Sequence, residues 1–174
     1  MKSPVAALKD AHDALRTLVL ESEPSLAVAA SETLSKSLLL AGASELEDDV
    51  QRILIEYYEE ATANTVPAVE FIRRKALKRQ YHTLFSWEAA NANTFFSFFG
   101  PDFRKFIDER LAANSGLKDA IRDFLRLGSL RNQLVHGNFA AFSLDVTAEE
   151  IFSLYLSAIG FREALPGLLR QELG

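Results

Sequence analysis

Within nine residues, Ser129-Leu130-Arg131-Asn132-Gln133-Leu134-Val135-His136-Gly137, the chain places an arginine, an amide and a histidine. Arg131 is a permanent cation whose planar fork can hold two phosphate oxygens. His136 can give or take a proton near neutral pH. Together they could bind a phosphodiester and move its protons without a metal. On an ideal helix Asn132 and His136, four apart, share a face. Arg131 and His136, five apart, are turned by about 140° and separated by ~7.5 Å of axis. The spacing therefore predicts a helix starting at the motif, with Ser129 as N-cap and Arg131 leaning from the first turn, where free N–H groups would favour a phosphate. The plainer alternative is that His136 caps the last carbonyls before Gly137 while Arg131 pairs with Asp123 or Asp119.

Other reactive residue types are scattered. His12 reads as a surface residue on the first helix, and His82 follows Tyr81 beside a basic segment. Three separated histidines give no metal-ligand spacing, so neither a metal nor a cofactor is expected. Glu45, Glu47, Asp48 and Asp49 read as the solvated first turn of a helix. Trp87, Phe85, Phe95, Phe96, Phe98 and Phe99 could stack bases, but such density more often marks core or a dimer face. There is no Walker-type loop, no Gly-x-Ser-x-Gly elbow and no His-Glu-x-x-His pair.

The positioning elements read as helices throughout. A first helix covers Val5 to Leu20, broken by Glu23-Pro24-Ser25. A second spans Ser25 to Leu40 and ends at Gly42 as C-cap. Ser44 then opens a third, with Glu47 at the capping-box position. Asn64 to Pro67 is a break. A basic helix follows from Ala68 to Gln80, with Arg73, Arg74, Lys75, Lys78 and Arg79 mostly outward. Asp102 to Leu111 and Leu117 to Leu127 are the next helices, the second interrupted by Gly128-Ser129. Thr147-Ala148-Glu149-Glu150 is a capping box that starts a final helix reaching about Ala164.

The 174 residues suit a single domain, 1–174, with one core. Cysteine is absent, which excludes a disulfide frame, a thiolate metal site and a cysteine nucleophile. Met1-Lys2-Ser3-Pro4-Val5 lacks the apolar stretch of a signal peptide, and no apolar run approaches the roughly 20 residues that span a bilayer. These features suit a cytoplasmic protein away from membranes. The net charge is −5 but unevenly spread. Residues 1–63 carry 5 Lys/Arg against 12 Asp/Glu, while residues 64–137 carry 12 against 7. The basic excess shares its third of the chain with the Arg-His motif, where a local field could steer phosphate.

Arg131-Asn132-x-x-x-His136-Gly137 resembles the R-N-x-x-x-H motif of the HEPN superfamily, small all-helical domains that include metal-independent ribonucleases. The order of Phe98-Phe99-Gly100-Pro101-Asp102-Phe103, a polar helix, Phe124-Leu125 and the motif is similar to the RiboL-PSP subgroup. The resemblance is carried by about residues 91–160. It implies an all-α, HEPN-like helical bundle with a long C-terminal helix. It also implies a homodimer in which two motif helices pack together, so that two Arg and two His line one cleft. Arg131 and His136 would then be catalytic, with Asn132 supporting, in RNA cleavage by a toxin or antiviral defence effector, an antitoxin or regulatory protein being a possible partner. The alternative is a non-catalytic module of the same fold that binds RNA, a nucleotide or a partner protein. A third reading is a structural adaptor that docks a partner on Phe95 to Phe99.

Overall fold

The computed structural model describes residues 3–78 and 80–171, so Arg79 lies outside the described residues. These residues form eight α-helices and no strand, and the chain is all-α as its periodicity predicts. Helix α1 spans Pro4–Leu20; Ser3 caps it by accepting the Ala6 N–H, and Pro4 occupies the first turn, where its missing donor costs nothing. Helix α2, Pro24–Ala61, follows at once.

Helix α2 corrects the reading of two helices separated at Gly42. The 38 residues run without a break, and Gly42 is buried at mid-helix rather than a C-cap. A Cβ there would stand 3.2 Å from Tyr155 Cδ2. The glycine admits the tyrosine ring to the helix backbone, which offsets the roughly 1 kcal/mol that glycine costs a helix interior. Ser44 is likewise exposed at mid-helix and caps nothing.

The predicted break near residue 64 is present: Ala63 and Asn64 take φ of 48° and 58°, reversing the chain before α3, Val66–Ile72. The basic segment is not one regular helix. It widens into a π-helical turn at Arg73–Leu77, closed by the Lys78 N–H to the Arg73 carbonyl at 2.8 Å. Short helices α4, Tyr81–Leu84, and α5, Asn93–Ser97, flank an irregular stretch that holds Trp87. Helix α6 spans Pro101–Ala113.

Helix α7, Ser115–His136, is capped by Asn114, whose side chain accepts the Leu117 N–H at 2.9 Å. It is unbroken at Gly128-Ser129, contrary to expectation. Both residues are docking points for the stretch around Trp87. A Cβ on Gly128 would lie 2.1 Å from Trp87 Cζ3, and Ser129 donates to Glu88 Oε1 at 2.8 Å. Helix α8, Ala148–Arg170, starts at the predicted capping box: Glu150 N–H reaches Thr147 Oγ1 at 3.1 Å, and Thr147 N–H reaches Glu150 Oε2 at 2.8 Å. It continues beyond Ala164, through Pro166, because Leu165, Leu168 and Leu169 are buried and Arg170 pairs with Glu60 at 2.6 Å.

The core lies where α2, α7 and α8 meet. Leu39 and Val50 of α2, Leu125 and Leu127 of α7, and Ala158, Phe161 and Leu165 of α8 are fully buried. An aromatic cluster extends it: Phe85 stacks on Phe95 at 4.7 Å, and Phe124 meets Phe85 and Phe161 edge-on at 5.1 and 5.0 Å. Most of the aromatic segment is therefore core, with Phe98 exposed. His12 is buried, not a surface residue; its ring nitrogens lie 3.1 Å from Asp13 Oδ1 and 3.3 Å from Ser31 Oγ. No helix among the described residues is long and apolar enough to cross a membrane.

Gly128→Ala tests this packing. The new methyl displaces the indole of Trp87, so we expect a loss of about 1–3 kcal/mol and a red-shifted tryptophan emission. A variant with unchanged emission and a raised melting temperature, the result helix propensity alone would give, contradicts it.

Candidate active site

Arg131 and Asn132 lie on the side of α7 that faces α2, well inside the helix. The backbone N–H groups around them are spent on the helix, so the expected first-turn phosphate site after Ser129 does not form. Arg131 donates through Nη1 to Asn132 Oδ1 at 3.1 Å and through Nη2 to Glu47 Oε2 at 3.4 Å. Its partner is thus Glu47 of α2; Asp119 and Asp123, the sequence candidates, both pair with Arg122 instead.

His136 is the last residue of α7 and is exposed, with no hydrogen bond or ion pair to another described residue. It is joined neither to Arg131 nor to Asn132. Within one chain the structure therefore brings Arg131 and Asn132 together and leaves His136 apart. Next to it Gly137 adopts φ −86°, so a left-handed cap is not the reason for glycine. A Cβ there would crowd the Gln133 carbonyl at 3.0 Å and Phe142 at 3.2 Å.

Sequence reasoning missed the residue that holds the loop after His136. Lys36 of α2 is buried, with Nζ 3.0 Å from the Phe139 carbonyl and 3.0 Å from Glu32 Oε1. Its ammonium also lies 5.4 Å from the Phe139 ring centroid. A lysine in an apolar stripe gives no sign of a partner 103 residues away.

Arg131 and Asn132 border a cavity of about 180 Å³ between α2, α7 and the Tyr81–Trp87 stretch. Glu47, Gln51, Tyr81 and Trp87 complete much of its wall, and exposed His82 stands at its edge. His136 does not line it. The indole is fixed by its N–H to the His82 carbonyl at 2.9 Å. Burial pushes the Glu47 carboxyl above the usual glutamate value; the Arg131 charge opposes that shift and Asp48 adds to it. Burial likewise raises the Tyr81 phenol well above its ordinary value.

The acidic run is therefore no solvated first turn. Glu45 accepts the Tyr155 hydroxyl at 2.5 Å, Asp49 pairs with Arg162 at 3.1 Å, and Glu47 faces α7. The basic excess is also partly neutralised locally: Arg74 pairs with Glu70, Arg104 with Asp108 and Arg122 with Asp119. Among the described residues no cluster of His, Cys, Asp and Glu could hold a metal ion.

The family model described as RiboL-PSP-HEPN matches residues 7–170. Neither the curated proteins nor the solved structures contain a significant match.

Because burial outweighs the help from Arg131, ionised Glu47 costs the fold stability. Its raised folded pKa means that stability is greatest below the unfolded value and falls as pH rises through the folded one. Glu47→Gln, which carries no charge, should be at least as stable as the parent at pH 7. That advantage should fade on acidification, as the parent's carboxyl protonates. Thermal melts of both proteins across pH check this, and a Gln variant clearly less stable at pH 7 contradicts it.

Proposed function

The chain belongs to the RiboL-PSP-HEPN family, and from that membership we propose that it is a metal-independent endoribonuclease that works as a homodimer. The observation that carries the proposal is Arg131-Asn132-x-x-x-His136 in the last turns of α7, with Arg131 and Asn132 half-buried and His136 exposed and unpartnered among the described residues. One protomer holds an incomplete set, because Arg131 and His136 point apart. An antiparallel pairing of two α7 helices centred between residues 133 and 134 would set residue 131 of each copy beside residue 136 of the other. A two-fold axis imposes that reciprocity.

The reaction is transesterification. A base, His136, takes the 2′-hydroxyl proton; the oxygen attacks the adjacent phosphorus; the P–O5′ bond breaks; and the protonated imidazole gives that proton to the departing 5′-oxygen. The products are a 2′,3′-cyclic phosphate and a 5′-hydroxyl. Arg131 stabilises charge on the phosphate oxygens as it develops, and Asn132, bonded to Arg131, fixes the guanidinium. DNA lacks the nucleophile. In this reading residues 1–174 act as one domain in the cytoplasm, as a toxin or defence effector restrained by an antitoxin or regulatory protein.

A second reading, a non-catalytic module that binds RNA, a nucleotide or a protein, is favoured by one observation: Arg131 is engaged by Glu47 at 3.4 Å.

The purified protein should cleave single-stranded RNA in the presence of chelator, leave cyclic or 3′-phosphate ends and spare DNA. His136→Ala should lower the rate by about 10²–10⁴-fold with the fold intact. Arg131→Ala should lower both turnover and RNA affinity, and Arg131→Lys should restore little, since a point charge does not replace the planar fork. Equal, slow degradation by the parent and His136→Ala would remove the nuclease reading.

A further inference from the structure

The cavity beside the motif has features that the cleavage chemistry does not use. Its volume is about 180 Å³. An apolar cavity of roughly 150 Å³ admits a benzene ring, so there is room for one flat heterocycle. Its walls combine the side chains of Tyr81 and Trp87 with a carboxylate, Glu47, and two amides, Gln51 and Asn132. Aromatic walls suit an unstacked base. The carboxylate is held there against a desolvation cost, and its guanidinium partner stands at the long distance of 3.4 Å.

The geometry points to this cavity as a base-recognition pocket for guanine in single-stranded RNA, read by the Glu47 carboxylate. This rests on the nuclease reading only for the RNA context; the pocket itself can be tested with free nucleosides. An ionised carboxylate accepts and never donates. Guanine alone offers it two adjacent donors on one edge, N1–H and the N2 amino group. Adenine and cytosine set a ring acceptor beside their single amino donor, and uracil sets carbonyls on both sides of its one N–H. Each would face the carboxylate with a lone pair, a repulsion that provides selectivity. The Gln51 and Asn132 amides can donate to the guanine acceptors O6 and N7.

The pocket also couples recognition to the motif. When N1–H and the N2 amino group occupy Glu47, they replace Arg131 as its partner. The freed guanidinium is then available to the phosphate of the bound nucleotide. Guanine entry thus releases the cation that the unliganded pocket holds back.

Trp87 is the only tryptophan in the chain and forms part of the wall, so its emission reports on occupancy. Guanosine, inosine, adenosine, cytidine and uridine are titrated into the intact protein, with no phosphate to bind elsewhere. Guanosine is expected to change the emission saturably and to bind about tenfold or more tighter than inosine, which lacks the N2 amino group, and than the other three. Glu47→Gln, with its melt confirming the fold, should lose that preference. Equal responses to all five nucleosides, or none to guanosine at millimolar concentration, overturn the pocket without any variant. RNA cleavage that ignores guanine, together with no guanosine response, removes the pocket and leaves the nuclease. Selective guanosine binding without cleavage keeps the pocket and removes the nuclease.

Discussion

Gly128 has no side chain, and the indole of Trp87 occupies the space a Cβ would fill, with ring carbons 2.1–2.2 Å from that position. Much follows from this contact. It lets the stretch between α4 and α5 lie directly on α7, where Ser129 fastens it again through Glu88. The indole then packs against Phe85 and Phe124, at 5.1 and 5.9 Å, and joins the loop to the aromatic core. The same contact raises one wall of the cavity that Arg131 and Asn132 border, less than two turns further along the helix. A larger residue at position 128 would move the wall, the loop and the motif's surroundings together.

Charge is arranged on this frame by the length of α2. Glu45 and Asp49, four apart, share a face and both reach α8, through Tyr155 and Arg162. Glu47 lies between them in sequence, on the opposite side, and reaches α7. One acidic run thus serves two neighbouring helices. The Glu45 and Asp49 contacts tie α2 to the C-terminal helix. Glu47 is different: burial disfavours its charge more than Arg131 supports it. A carboxylate that costs stability beside a motif arginine fits a functional constraint better than a structural one, because a neutral side chain of the same size would serve packing as well.

The helical character, the break after α2 and the capping box at Thr147 were legible because each depends on residues within a few positions. The misreadings share one cause. Gly42 and Gly128 have the composition of helix ends, and each is a place where a distant aromatic ring approaches the backbone, Tyr155 in one case and Trp87 in the other. Local rules cannot see a partner 41 or more residues away. Similarly, burial of His12 depends on Ser31, one helix on, and that of Lys36 on the loop after His136. The Arg-Asn-x-x-x-His spacing was legible as a motif. Its orientation was not, since the unbroken α7 turns Arg131 toward α2 and leaves His136 at the helix end.

The divergence of Arg131 and His136 within a chain makes the functional claim depend on a second copy. The most direct test mixes two inactive variants, Arg131→Ala and His136→Ala, under conditions that exchange protomers. In a mixed dimer the intact Arg131 of one copy meets the intact His136 of the other. The account predicts that RNA cleavage returns on mixing, although neither variant cleaves alone. A mixture of exchanged, folded dimers that stays inactive would contradict an active site assembled across the two-fold axis.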